Sequence, residues 1–440
     1  MNTPKPLSPG SSIAVIGSGV AGLTSAHLLS REHVVTLIEA DGRLGGHAHT
    51  QQFPTSDGRV HNVDTGFIVH NDRTYPTLLR LFDELGVPTQ DTDMSMSVSS
   101  AVTGLEYAGA LGVGGLFPSI RNALSIRHIR MLAEVKRFHA LAREVLDHPS
   151  DDVPLSSFVQ TAGLSDYFVD NFLLPLVAAV WSCDSATAAD YPARYLFAFL
   201  DHHGMLTVFG SPVWRTVVGG SDTYVQAVAR GVTASGGAVR TSSPVVALRE
   251  DTGGVVVRTA TSTDVYDAVI VATHPHQALA MLEQPSDAQR TVLGAIRYAS
   301  KHAVLHTDQS LLPTARRARA SWNYQIRTDG DEVAVTYDLT RLMRLPDAPE
   351  RALVTMGRTD LVDPSAVVAE MTYEHPIYDV ESVSAQRRLA EVDTPRIAFA
   401  GAYHGWGFHE DGASAGASAA VRFGGRWGRA DDDLFAGAVR

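Results

Sequence analysis

The apolar positions of this chain change period several times, and each change marks an element. A short apolar run, Ile13–Ile16, meets three spaced glycines, a helix starts at Val20, and a second apolar run, Val34–Ile38, follows. This is strand, turn, helix and strand within about 30 residues, the sequence form of one βαβ unit. Arg59–Val63 reads as a further strand. From Tyr75 the period lengthens: Leu78, Leu79, Phe82 and Leu85 recur at helical spacing, and Gly86 ends the element. Ser95–Ser99 alternates. Residues 116–203 read as largely helical, with breaks near Pro154, Gly163 and Pro175. Strand patterns return at Val245–Leu248, Gly254–Arg258 and Val265–Ala272. Residues 300–357 are mostly strand-like, with Asp329-Gly330 as a hairpin turn. A helical pattern over 379–391 leads into a last strand, Arg396–Ala400. No internal repeat or low-complexity segment interrupts this order.

The glycines of the first unit have distinct tasks. Gly17 permits the tight turn, Gly19 lets the backbone approach a pyrophosphate, and Gly22 lets the helix pack close to the sheet. Val20 and Ala21 open the helix, whose N–H groups and positive dipole end point at phosphate. Glu39, followed by Ala40, can accept hydrogen bonds from a ribose diol. These features specify a dinucleotide and leave open which one. Arg43-Leu-Gly45-Gly46-His47 comes next. A second glycine pair lets the backbone run along a cofactor too long for one βαβ unit. Arg43 can supply charge to the phosphates or cover the cofactor.

The pattern Glu39-x-x-x-Arg43-x-Gly45-Gly46 resembles the second signature of FAD-dependent amine oxidases and their relatives, the protoporphyrinogen oxidases and phytoene desaturases. The resemblance implies FAD, held non-covalently, with NAD reduced to a possible acceptor. It implies an α/β fold in which a Rossmann-like, glutathione-reductase-type FAD domain is interrupted by a mixed α+β substrate domain. The FAD domain is expected over 1–75, 215–275 and 392–440, and the substrate domain over 76–214 and 276–391. Where those families carry an arginine after the two glycines, this chain has His47. The resemblance also places Val246 beside the adenine, and Ala272 and Thr273 at a strand end near the cofactor. Thr65, Gly66 and Phe67, within the stretch Val63–Pro76, belong to the same set.

At the C-terminal side, Gly401-Ala402 stands where the family has a glycine and a carboxylate for the ribityl chain; Tyr403 or a backbone group is the expected substitute. The stretch Glu410-Asp411-Gly412-Ala413 matches the family's helix start. A helix beginning near Gly412–Ala413 would stabilise negative charge at the flavin N1–C2=O edge. Taken together, these stretches are similar to a bacterial branch described as predicted NAD/FAD-binding proteins. That branch is associated with cyclopropane-fatty-acyl synthase-like methyltransferases, so the resemblance implies a fatty-acyl methyltransferase as a partner.

Composition narrows the classes. The chain has 440 residues, 45% of them hydrophobic, enough for a large core and two lobes. A net charge of −12 argues against a general nucleic-acid binder. Cys183 is the single cysteine, which excludes an internal disulfide and reads as a buried structural thiol. Eighteen histidines show no metal-ligand spacing, so no metal is expected. The first ten residues lack a signal-peptide core, and no run of about 18 apolar residues exists; the expected location is cytoplasmic. One island differs from the rest. From Tyr107 to Ala133 there is no Asp or Glu, while Arg121, Arg127 and Arg130 are interleaved with aliphatic residues. Residues 116–137 are thus either a helix with a solvated basic face or a peripheral contact with anionic membrane.

No triad or metal cluster is evident, which suits chemistry carried by a flavin. The expected pocket residues are Trp406, His409 and His404 on the last loop and Tyr324 beside Trp322 and Asn323, with no catalytic residue assigned. His49 reads as a polar turn residue and Lys301 as a surface lysine. The expected activity is removal of hydride from a C–H bond of a hydrophobic, fatty-acyl or phospholipid substrate. The alternatives are a flavin amine oxidase and a non-catalytic FAD-binding subunit of a lipid methyltransferase.

Overall fold

The computed structural model describes residues 7–148, 152–181, 183–207, 210–327, 334–345 and 348–428. The turn expected at Asp329-Gly330 and the first six residues lie outside them.

Five parallel strands form the central sheet, in the order Ala238–Arg240, Val34–Ile38, Ser12–Ile16, Ala268–Val271 and Ile397–Phe399. Ser12–Ile16, Ala268–Val271 and Ile397–Phe399 are buried almost throughout. That is why they read as unbroken apolar runs and not as alternation. Ala238–Arg240 did not stand out in the sequence, because three residues are too few to show a period.

Helix Val20–Leu29 buries nine of its ten residues, since it lies between this sheet and a second helix, His409–Arg422. The two helices touch through small residues. A Cβ on Gly412 would stand 2.6 Å from Val20 Cγ1, and one on Gly416 would stand 2.2 Å from the Ala21 carbonyl oxygen. Ser25 Oγ donates to the Gly416 carbonyl at 2.9 Å and fixes the crossing. The second helix starts at His409, three residues before the expected Gly412, because Asp411 caps its first turn.

The other half of the molecule is a seven-stranded sheet faced by helices. Its strand order is Val367–Ile377, Arg297–His306, Leu353–Met356, Ala334–Asp338, Trp322–Ile326, Met96–Ser100 and Glu106–Ala108. The helical layer lies within 112–202 and includes the 22-residue Ile126–Asp147 and a π-helical turn at Val169–Leu173. Phe138, Phe158, Phe168 and Phe197 interlock within it. A three-stranded antiparallel sheet, 245–266, flanks the parallel sheet. Among the described residues no helix is long and apolar enough to cross a membrane.

Candidate functional site

A cavity of about 520 Å³ begins at the first glycine loop and continues between the seven-stranded sheet and the helical layer. At the glycine end its wall is Gly19, Val20, Ala21, His47, Gly66, Phe67, Ala272, Thr273, Gly401 and His409. The three glycines of the loop divide their work as their positions require. Gly17 adopts φ +95°, and its Cβ would stand 2.6 Å from the Ala272 carbonyl oxygen; a Cβ on Gly22 would stand 1.8 Å from the Gly17 oxygen. Both are demanded by the protein's own packing. A Cβ on Gly19 meets no protein atom within 4 Å, so its open side is free for a ligand to approach.

Helix Val20–Leu29 has no side-chain cap and no acidic residue in its first turn. Its N–H groups and positive end face the cavity and are available to an anion. Ser18 ties the two glycine motifs together: its carbonyl and its hydroxyl both accept from the Gly45 N–H at 3.1 Å. Glu39 accepts from the Ser18 N–H at 2.8 Å, the Ser18 hydroxyl at 2.6 Å and the Asp41 N–H at 3.0 Å. It therefore orders the loop as well as standing at the strand end. Arg43 donates to the Gly46 carbonyl at 2.8 Å, so its guanidinium closes the second glycine turn.

His47 lies in the wall, and its buried Nε2 has no hydrogen-bond partner. Its ring lies 5.1 Å from Tyr373 and 5.4 Å from His375. Thr65 meets the Tyr373 hydroxyl at 2.7 Å, and the Phe67 N–H donates to the His47 carbonyl at 2.7 Å. The 65–67 segment thereby holds the 47–49 turn in place. His409 stacks on Phe67 at 3.6 Å and meets the Tyr224 hydroxyl at 3.2 Å. Burial lowers the pKa of His47, takes His375 to about 4 and His409 to about 3. At neutral pH all three are uncharged imidazoles.

Several expected residues stand elsewhere. Trp406, His404 and Tyr324 do not line the cavity. The Trp406 carbonyl accepts from Trp181 Nε1 at 3.0 Å, and its ring packs on Tyr195, Phe199 and His202, behind the wall. His404 borders a separate polar recess with Asp393, Asp411 and Arg422. Tyr324 lies two residues beyond Trp322, past the end of the cavity, beside Cys183 and Ser185. Asp411 is turned inward: burial raises its pKa to about 7, and it accepts from the Phe408 N–H at 2.8 Å. Its carboxylate thus closes the turn that leads into the helix. Gly412 and Ala413 pack within the helix pair and do not line the cavity. Val246 sits on an exposed bulge of the antiparallel sheet. Tyr403, by contrast, does line the cavity, although its ring packs into the core and its hydroxyl has no partner.

Among the lining residues that the sequence reading did not name are Tyr298, Glu374 and His375, which stand beside His274. His274 stacks on Tyr298 at 4.1 Å and meets Glu374 at 2.8 Å. His274, His276 and Glu374 form the one group of three donors among the described residues that could hold a metal ion. The signal for it was the run His274-Pro275-His276 directly after a strand, which Glu374 completes from the edge strand Val367–Ile377. Lys301 is half-buried on its strand and does not reach the cavity.

These residues fit FAD: a bare helix end for pyrophosphate, a glycine whose side is open, a ribose carboxylate and an unpartnered imidazole nitrogen. Residues 20–310 match the family described as flavin containing amine oxidoreductase, and residues 215–409 match that of FAD dependent oxidoreductase. The chain belongs to the flavin-containing amine oxidoreductase family. It is 32% identical over 114 residues to the flavin-containing amine oxidase A of Canis lupus familiaris, a match spanning 26% of this chain and 20% of that relative. The fold is similar to cyclohexylamine oxidase from Brevibacterium oxydans IH-35A, at 16% identity and a TM-score of 0.68, covering 94% of this chain and 99% of that one. It is also similar to a CLA-producing fatty acid isomerase from P. acnes, at 15% identity and a TM-score of 0.66, covering 94% and 98%.

Proposed function

We propose that this oxidoreductase acts on a C–H bond of a long apolar substrate of the fatty-acyl class. The observation that carries the reading is the far wall of the cavity. Beyond the glycine end it is built from Met94, Met96, Val98, Phe172, Leu176 and Met356, with further aromatic residues. Among the described residues lining the cavity there is no Lys or Arg, and Glu374 is the one acidic group. That carboxylate is engaged by His274. His47, His375 and His409 are neutral, so the cavity offers little to hold a cationic amine and much to hold hydrocarbon. A structural neighbour described as a fatty acid isomerase supports an acyl substrate in this fold.

FAD, when bound, supplies the hydride acceptor. The chain's own residues do the rest. The Val20 and Ala21 N–H groups would hold the anionic part of the cofactor, and His47, whose Nε2 has no partner within the protein, would offer it one neutral nitrogen. The apolar wall positions the substrate and excludes water, which lets a C–H bond be held for reaction without a charged group. Anaerobic mixing with unsaturated phospholipids, fatty acids and a panel of amines tests the reading. Loss of flavin absorbance with the acyl compounds is expected; loss with amines alone overturns it.

A further inference from the structure

We infer that the surface formed by residues 102–130 docks on an anionic lipid bilayer. Six of the sixteen exposed large aliphatic side chains among the described residues fall in this stretch: Val102, Val113, Ile120, Leu124, Ile126 and Ile129. The four most exposed in the whole described chain are here, Val113, Ile120, Leu124 and Ile126, at 73–80%. The remaining ten are valines at scattered places, as on any protein surface.

The fold brings the 102–104, 120–123 and 126–129 segments together. Helix Ile120–Ala123 abuts helix Ile126–Asp147, whose His128, Met131 and Phe138 face the core, so that Ile126 and Ile129 face out. The Arg121 guanidinium lies against Gly104 and brings the Val102 turn beside Ile120.

Charge selects the occupant. Arg121, Arg127 and Arg130 are exposed among these aliphatics, and no Asp or Glu occurs from Tyr107 to Ala133. Of the neighbouring carboxylates, Glu106 accepts from the Thr314 and Ala315 N–H groups and Glu134 from Ser165, while the exposed Asp166 and Asp170 flank Tyr167, which lies beside Arg127. The whole chain carries −12, so an anionic surface attracts this face and repels the others, which fixes orientation. A second copy related by a two-fold axis would set these arginines against each other. Aliphatic side chains flanked by arginines suit the boundary between headgroups and acyl chains, where the apolar part is immersed and the cations meet lipid phosphate.

The patch also adjoins the cavity. Tyr107, Gly109 and Ala110 line the cavity, and helix Gly112–Leu116, which carries Val113, begins two residues later. None of these surface features depends on the substrate proposed above.

Co-sedimentation of the FAD-loaded protein with vesicles tests it, using phosphatidylcholine alone and phosphatidylcholine mixed with phosphatidylglycerol. Binding to the mixed vesicles is expected, with loss in 1 M NaCl. The triple change R121Q/R127Q/R130Q should weaken it about 100-fold. I120S/L124S/I126S should abolish it, with flavin content and circular dichroism unchanged in both. Equal binding to neutral vesicles, unaltered binding by either variant, or a dimer that I120S/L124S/I126S dissociates would overturn it. Vesicle binding by a protein whose flavin is bleached only by amines would sink the substrate reading and leave this one standing; the reverse result would do the opposite.

Discussion

Helices Val20–Leu29 and His409–Arg422 pack side by side and both begin at the cavity, yet they begin differently. The first has glycine at its N-cap, no capping side chain and no acid in its first turn. The second has two acids there. Asp411 caps its own helix, and Glu410 reaches across to the Thr77 and Leu78 N–H groups, each at 2.9 Å. Those N–H groups open helix Pro76–Leu85, which lacks a side-chain cap of its own. One helix end is left open to an anionic ligand; the other begins with two carboxyl groups that are already hydrogen-bonded within the protein. A bare N-terminus beside a cavity is therefore better evidence of an anion site than helix position alone.

Glycine changes break this contrast most strongly. Gly22→Ala drives a Cβ into the Gly17 carbonyl and should cost about 3 kcal/mol or more, with loss of FAD. Gly19→Ala should leave the apoprotein's stability within about 0.5 kcal/mol, since its Cβ meets no protein atom, yet strip the flavin. Thermal melts of apoprotein beside flavin absorbance after gel filtration check the pair; a Gly19→Ala protein that keeps its FAD removes the anion from the bare end.

Asp411 sharpens the other side. Its pKa is about 7 when folded against an ordinary 3.8, with burial as the main cause. The folded state therefore holds a proton that the unfolded chain releases near pH 4. This stabilisation is complete below pH 4 and is lost as pH rises through about 7. It amounts to something on the order of 4 kcal/mol. Asp411→Asn should match the parent's melting temperature at pH 4 and exceed it at pH 8. Parallel melting curves at both pH values would show that Asp411 is not buried as described. Glu410→Ala, which frees two N–H groups of a neighbouring helix, should cost about 1–2 kcal/mol in urea titration and leave the flavin bound.

The glycine end was legible because its logic is local: strand, turn and helix within one short segment fix Gly17, Gly19, Gly22 and Glu39. Trp322, named as a wall residue, does line the cavity. Tyr324 shares its strand face by alternation but lies one step too far along, and no pattern in the sequence marks where a cavity ends. His274 and Glu374 meet across 100 residues, through a strand end and a sheet that a single sequence does not pair. The start of the last helix was misplaced because Gly412 and Gly416 look like ligand-facing glycines, while their missing side chains make room for Val20 and Ala21.

The hydrogen bond from Ser25 to Gly416 joins residues 391 positions apart. At about 5–20 residues per second, a ribosome needs about 20–80 s to travel from one to the other. Throughout that interval the first helix has only part of its packing, and the cofactor's resting place has only one of its two sides. The packing that completes the first helix is thus among the last to form, because it waits for the far end of the chain.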